Sequence, residues 1–222
     1  MRVMAICSCP RLGYMDFAGK SVAAFYQNGV DMTNAYGVYW HQSLSKAMKV
    51  AVEAGYDYII TCDYDSIFDG ETVAQLIRLA DQNPQADAIT TMQMGRFSGL
   101  LVSTESGYTT RKELKENALV RVKTGHFGLT LLRAESLKKL KKPWFWSRPD
   151  DNGEWIDKES KEDEDTHFWL NFDDSGLNLY LAPRLVIGHL ELLIKWPADN
   201  LDGIYETLGH YHEFGKPSDC WK

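Results

Sequence analysis

The chain has 222 residues, 44% of them hydrophobic, so it can bury a sizeable core and is too apolar for intrinsic disorder. A formal charge of -7 gives no net attraction to nucleic acid or an anionic membrane, which still leaves room for a local basic groove. The four scattered cysteines (Cys7, Cys9, Cys62, Cys220) make no disulfide framework and are expected reduced, and Cys7-x-Cys9 lacks the second ligand pair of a structural zinc site.

No apolar run approaches the roughly 20 residues of a membrane helix, and the chain opens in a strand-like run rather than a signal peptide. A cytoplasmic protein with no membrane span is expected. Without repeats, low-complexity tracts or a break in composition, residues 1–222 are expected to form one domain.

Arg2 to Ser8 predicts a first strand, ended by Pro10, Arg11 and Gly13. Residues 14–37 mix aromatics, glycine and polar side chains and are read only coarsely. From His41 to Ala54, Leu44, Ala47, Met48, Ala51 and Val52 recur at helical spacing, with Gly55 well placed as the C′ residue. Tyr58 to Cys62, β-branched and aromatic in part, reads as an interior strand. Asp69 can cap a helix from about Gly70 to Gln82, with Val73, Leu76, Ile77 and Ala80 as its inner stripe and Asn83-Pro84 as its stop. Ala88 to Met92 is another strand. This alternation predicts an α/β layer with parallel strands.

The pattern changes after Gly95. Strands are predicted over Leu100–Thr104, Leu119–Lys123 and Phe127–Arg133, and a short helix over Glu135–Leu140. Lys138, Lys139, Lys141 and Lys142 are most simply its solvated face. Pro143 to Lys161 has little periodicity and carries Trp144, Trp146 and Trp155. It reads either as a mobile lid whose aromatics stack on a ligand or as a hydrophobic plug. Glu164 to Ser175 predicts a helix with Phe168, Trp169 and Phe172 inward and Gly176 at its end. Asn178–Ala182 and Leu185–Gly188 read as two strands separated by Pro183, with His189 just beyond. Residues 191–222 are expected to pack as an irregular or helical extension.

Asp63 and Asp65 follow the Tyr58–Cys62 strand directly. Open α/β sheets bind ligands outside the carboxyl ends of their strands. Two carboxylates there suit a hard divalent cation better than a core. A solvated acidic turn is the plain alternative. For Glu162 to Asp165 the plain reading is charge complementing a helix dipole, and a lone histidine such as His189 is more often a satisfied structural one. Order and spacing make the three landmarks informative together.

Taken in order, these residues resemble the GT-A-fold glycosyltransferases, in particular the family 2-like enzymes that use nucleotide sugars. The resemblance is carried by Asp63-Tyr64-Asp65 after a strand, Glu164-Asp165-Thr166-His167-Phe168 opening a helix, Ser175 to Pro183, and Gly188-His189. Between them, Thr124 to Arg133 looks like the family's glycine-rich acceptor-side strand. Residues 1 to 190 are covered and the tail is not. The first strand ends Cys7-Ser8-Cys9-Pro10-Arg11, where the family more often has an apolar residue, Pro and Thr or Ser. No Gln-x-x-Arg-Trp motif of processive synthases follows the Glu164 helix, so transfer of a single sugar is expected.

The resemblance implies an α/β GT-A fold: a Rossmann-like, mostly parallel central sheet flanked by helices, with a smaller acceptor-side sheet. Residues 1–95 would form the nucleotide-sugar half, 96–190 the acceptor and catalytic half, and 191–222 an extension. It implies a metal-dependent glycosyltransferase that uses a nucleotide-diphosphate sugar, a UDP-sugar by preference. Asp65 and His189 would be metal ligands, with Asp63 supporting the metal or holding the donor's ribose. A carboxylate and imidazole set favours Mn2+ over Mg2+. Donor contacts are expected from Cys7, Ser8, Pro10, Arg11, Asp63 and Tyr64. Asp165, kept ionised by its helix dipole, would be the general base, giving inversion, with Glu164 beside it for acceptor or donor hydroxyls. Gly125, His126, Phe127, Trp144, Trp146 and Trp155 would lie on the acceptor side. The acceptor is open: a saccharide, a protein side chain, a small molecule or a hydroxylated nucleic-acid base. No protein partner is implied. A nucleotidyltransferase that makes the donor, and a sugar- or nucleotide-binding module without activity, are the alternatives.

Overall fold

The computed structural model describes residues 1–9, 13–95, 102–103, 111–150, 153–154, 163–198, 200 and 202–221. In chain order these form β1 (Val3–Cys9), α1 (Met15–Gln27), β2 (Asp31–Tyr36), α2 (Trp40–Glu53), β3 (Tyr58–Asp63), β4 (Ser66–Ile67), α3 (Gly70–Gln82) and β5 (Ala88–Met92). Then follow α4 (Arg111–Glu116), β6 (Val120–Val122), β7 (Leu129–Arg133), α5 (Ala134–Leu137), α6 (Glu164–Asp174), β8 (Leu179–Val186) and β9 (Gly188–His189). The chain closes with β10 (Leu193–Pro197), β11 (Gly203–Thr207) and α7 (Leu208–Phe214).

Seven strands make the central sheet in the order β2-β1-β3-β7-β5-β8-β6. The pairs β1–β2, β1–β3 and β5–β8 are parallel, while β7 and β6 run against their neighbours. Strand alternation divides the core into two layers. Ala5 and Cys7 of β1, Ile60 and Cys62 of β3, and Leu129 and Leu131 of β7 join Phe17, Phe25, Val73 and Leu76 from α1 and α3. Ile6, Ile59 and Leu132 from the same strands face the other way, toward Leu44 and Met48 of α2 and Phe168, Trp169 and Phe172 of α6. Central strands covered on both faces must be apolar on both, which is why β3 reads as a continuous run.

Helix ends follow local chemistry. Asp69 caps α3 by accepting from Thr72 N at 2.9 Å. Gly55, just past α2, and Gly176, just past α6, have φ of 75° and 72°, where a side chain would be strained.

Residues 14–37, read only coarsely from the sequence, hold α1 and β2. Two expectations need correction. The two strands expected on either side of Pro183 are one, β8. Its pairing with β5 is irregular between Thr91–Ala182 and Met92–Val186, so Pro183 lies at the break in the ladder, where its missing N–H leaves no bond unmade. The tail is an antiparallel hairpin, β10–β11, followed by the short α7, rather than an irregular or purely helical extension. The strand expected over Leu100–Thr104 lies mostly outside the described residues; within it, Ser103 bridges to Thr124. Among the described residues, no helix is long and apolar enough to cross a membrane.

Candidate active site

The parallel pairing of β1 with β3 sets Ser8 opposite Asp63 at the carboxyl ends of both strands. The Ser8 hydroxyl donates to Asp63 Oδ1. The chain turns after Asp63 into β4, which pairs antiparallel with β9, Ser66 opposite His189. Leu190 N donates to the Asp65 carbonyl at 2.7 Å and closes this small ladder. The ladder brings together two residues 124 positions apart: His189 Nε2 lies 3.3 Å from Asp65 Oδ2.

The imidazole's other nitrogen, Nδ1, lies 3.0 Å from the Met94 carbonyl. A carbonyl only accepts, so Nδ1 carries the proton of this bond. In neutral His189, Nε2 then presents a lone pair toward a carboxylate oxygen. Two acceptors face each other unless a proton or metal cation serves both. A ligating histidine that donates its second nitrogen to a backbone carbonyl is the usual arrangement at metal sites. Asp65 is 3% exposed, so its carboxylate gains little from water. Among the described residues no group of three or more His, Cys, Asp or Glu side chains could hold a metal ion. Asp65 and His189 fit a cation whose other positions are filled by a ligand and water.

Asp163 caps α6, accepting from Thr166 N at 2.9 Å, which puts Glu164 and Asp165 in the first turn. Asp165 keeps some accessible surface as a residue, but its Oδ1 is sealed and has no hydrogen-bond partner among the described residues. Burial, and then the negative charges of Asp63, Asp163 and Glu164, raise its carboxyl well above the usual range. This corrects the expectation that the helix dipole keeps Asp165 ionised: enclosure and three carboxylates outweigh the dipole. Glu164 Oε1 meets His41 Nδ1 at 3.3 Å.

These groups share one cavity of about 790 Å³. Of the residues expected from the sequence, Ser8, Asp63, Tyr64, Asp65, Gly125, His126, Phe127, Glu164, Asp165 and His189 all line it. His126 serves the wall. Its Nε2 donates to the Thr91 carbonyl at 2.8 Å and its Nδ1 accepts from Gly128 N at 3.0 Å. Burial lowers its pKa to about 4, so it is neutral and held in one tautomer.

Other expected residues are not on the cavity wall. Cys7 is fully buried in the core beneath the sheet and does not line it. The hydrogen bond with Cys62, together with burial, pushes its thiol up, and the bond with Cys7 does the same for Cys9, so neither supplies a thiolate. Trp144 is 5% exposed and packs into the α2–α6 core, so it is a plug rather than a stacking lid. Its neighbour Phe145 stacks on Phe168 at 4.8 Å. Trp146 is exposed but does not line the cavity. Pro10, Arg11 and Trp155 lie outside the described residues. Sequence reasoning missed Cys9, Trp40 and Gln93 on the wall and His41 behind Glu164. Only the tertiary approach of α2 to α6 singles out His41 and Trp40.

No protein-family model and no curated protein matches the chain. Solved structures do. The crystal structure of A197 from STIV superposes with a TM-score of 0.57 over 93% of this chain and 95% of that one, at 19% identity. The crystal structure of GalNAc-T7 with UDP, GalNAc and Mn2+ superposes with a TM-score of 0.52 over 85% of this chain, at 11% identity. The chain spans 43% of that larger protein. The chain has a GT-A-like fold. At these identities the likeness is one of fold, and the GT-A frame accounts for the mostly parallel sheet flanked by helices, with small additional sheets beside it.

Proposed function

We propose that this protein is a metal-dependent glycosyltransferase that moves one sugar from a nucleotide-diphosphate sugar to an acceptor hydroxyl. One observation carries the reading. A single cavity wall holds both a carboxylate 3.3 Å from an imidazole nitrogen and a second, sealed carboxyl with raised proton affinity. A fold neighbour crystallised with UDP, GalNAc and Mn2+ supports the same class of donor and cation.

Asp65 Oδ2 and His189 Nε2 would hold the cation, and a mixed oxygen and nitrogen set favours Mn2+ over Mg2+. Bound there, the cation would offset the charge that builds on the diphosphate as the glycosidic bond breaks. The Met94 carbonyl fixes the imidazole's orientation and tautomer. Asp63, tied to Ser8, is oriented at the strand ends for a ribose hydroxyl. Tyr64 shares this wall and stacks on Tyr14 at 5.9 Å, which restrains its ring.

Asp165 takes the acceptor's proton. As the acceptor oxygen bonds to the anomeric carbon, the bond from that carbon to the diphosphate oxygen breaks, and its electron pair leaves with the diphosphate. Attack from the face opposite the leaving group inverts the anomeric centre. Raised proton affinity makes the ionised Asp165 carboxylate a stronger base than an ordinary one.

Screening nucleotide sugars for nucleoside-diphosphate release tests the reading before any acceptor is known. Release is expected for at least one donor with Mn2+, to stop with a chelator and to return when Mn2+ is restored. Wild-type turnover in both Asp65→Ala and Asp165→Ala would overturn it.

A further inference from the structure

The β4–β9 ladder is two residue pairs long, Ser66 with His189 and Ile67 with Gly188. A pairing that short does not hold itself together in water. The chain leaving β5 braces it. The Met92 carbonyl accepts from Ile187 N at 3.0 Å, and the Met94 carbonyl accepts from His189 Nδ1 at 3.0 Å. Between them, the Gln93 side chain spans both strands of the ladder. Its Nε2 donates to Ser66 Oγ of β4 at 3.2 Å and, at 3.5 Å, to the Gly188 carbonyl of β9. A carbonyl only accepts, so the second contact fixes which end of the amide faces the ladder. Met92, Gln93 and Met94 thus engage Ile187, Gly188 and His189 in turn.

Gln93 lines the cavity yet is only 4% exposed. A buried amide is tolerated where its hydrogen bonds offset the loss of water. The other end of this amide is held by lack of space. A Cβ at Gly128 would collide with Gln93 Oε1 and crowd His126 Nδ1. Gly128 is itself fixed, because its N–H donates to His126 Nδ1 at 3.0 Å and its carbonyl accepts from Asp63 N at 3.3 Å. The glycine leaves room for the Gln93 amide beside the end of β3.

We propose that Gln93 is the positioning residue of the Asp65–His189 pair: its amide ties β4 to β9 and so holds the imidazole in the orientation that faces Asp65. Without the bridge, that orientation depends on backbone contacts alone, and the ring gains freedom to turn away from the Met94 carbonyl. The positioning of His189 stands on these contacts. Its consequence for a cation rests on the metal-dependent transfer reading.

The test uses the full chain and two variants. Gln93→Met keeps the length and bulk of the side chain and removes its donors. Gly128→Ala keeps Gln93 and displaces its amide with one methyl group. Should one variant fail to fold, the other carries the test. The first readout is nitrogen NMR of isotope-labelled His189 in the metal-free protein, above neutral pH, where the ring shifts report the tautomer. Wild type is expected to be protonated at Nδ1, and both variants to move toward a mixture of tautomers. The second readout is Mn2+ titration by electron paramagnetic resonance with UDP present. Affinity is expected to fall roughly 10- to 100-fold in Gln93→Met, with unchanged circular dichroism. A residue that served packing alone would lower the melting temperature and leave both readouts at wild type. The wild-type tautomer in both variants overturns the proposal, and so does a changed tautomer with wild-type Mn2+ affinity. If wild type binds no Mn2+, a changed tautomer leaves the positioning of His189 standing and sinks the metal-dependent reading. Metal-dependent donor release with an unchanged tautomer in both variants does the reverse.

Discussion

Asp165 pulls stability and activity in opposite directions. Enclosure and the charges of Asp63, Asp163 and Glu164 raise its carboxyl well above the usual range. The folded chain therefore holds this proton at pH values where the unfolded chain has released it. The favourable contribution is complete below the unfolded value of about 4 and is lost as pH rises through the folded value. An amide does not ionise. Asp165→Asn is expected to raise the melting temperature relative to wild type, with a gap that widens as pH increases from about 4. The same substitution should lower transfer by roughly 10²- to 10⁴-fold, the usual range for a lost general base. Thermal scans and rates over a pH series check both. His126 has the opposite sign. Burial lowers its pKa from 6.5 to about 4. Stability that is complete above 6.5 should fall as pH drops and level off near 4, because the unfolded chain takes up the proton first. Denaturant unfolding of wild type and His126→Gln across this window measures the contribution, and the variant's curve should be flatter there.

At the scale of elements, the two-residue ladder of β4 and β9 does what neither long strand could. It holds His189 against Asp65, and Leu190 N closes it on the Asp65 carbonyl at 2.7 Å. Leu190→Pro removes that donor without entering the central sheet. Retained secondary structure and a roughly 10- to 100-fold loss of Mn2+ affinity are expected, the scale reported by outer-shell changes at metal sites. Circular dichroism and metal titration separate the two effects. The elements with a strong period were readable from the residues. The stripe Val73, Leu76 and Ala80 defines α3, and the run Tyr58–Cys62 defines β3. The weaker ones were not. Only one of the six β2 residues, Ala35, is buried, so the strand carries no alternation. The inward stripe of α1 includes Ser21, whose hydroxyl donates to the Ser66 carbonyl and so hides a helical period behind a polar letter. Pro183 broke β8 in the sequence but not in the sheet, because a register break there needs no N–H. In the tail, Leu193, Tyr205 and Phe214 stay exposed, so apolar letters there do not mark a core.

For the whole molecule, the parallel core brings the ends of β1 and β3 to one edge, and α6 and β9 deliver their residues to the same cavity. The order of the acidic and imidazole landmarks along the chain anticipated this convergence. The resemblance to a known family supplied the roles expected of them, and the cavity brings the residues together. What the residues could not reveal was environment. Nothing local distinguishes the enclosed Asp165 from a solvated helix cap, or Trp144 in the core from a tryptophan over a ligand. The central claim is that the Asp65–His189 contact is half of a divalent-cation site. Electron paramagnetic resonance of Mn2+ in the presence of UDP tests it most directly. Wild type is expected to bind a single Mn2+ per chain, and His189→Ala and Asp65→Ala to lose it while staying folded. Unchanged Mn2+ binding in both variants would contradict a cation held between these two side chains.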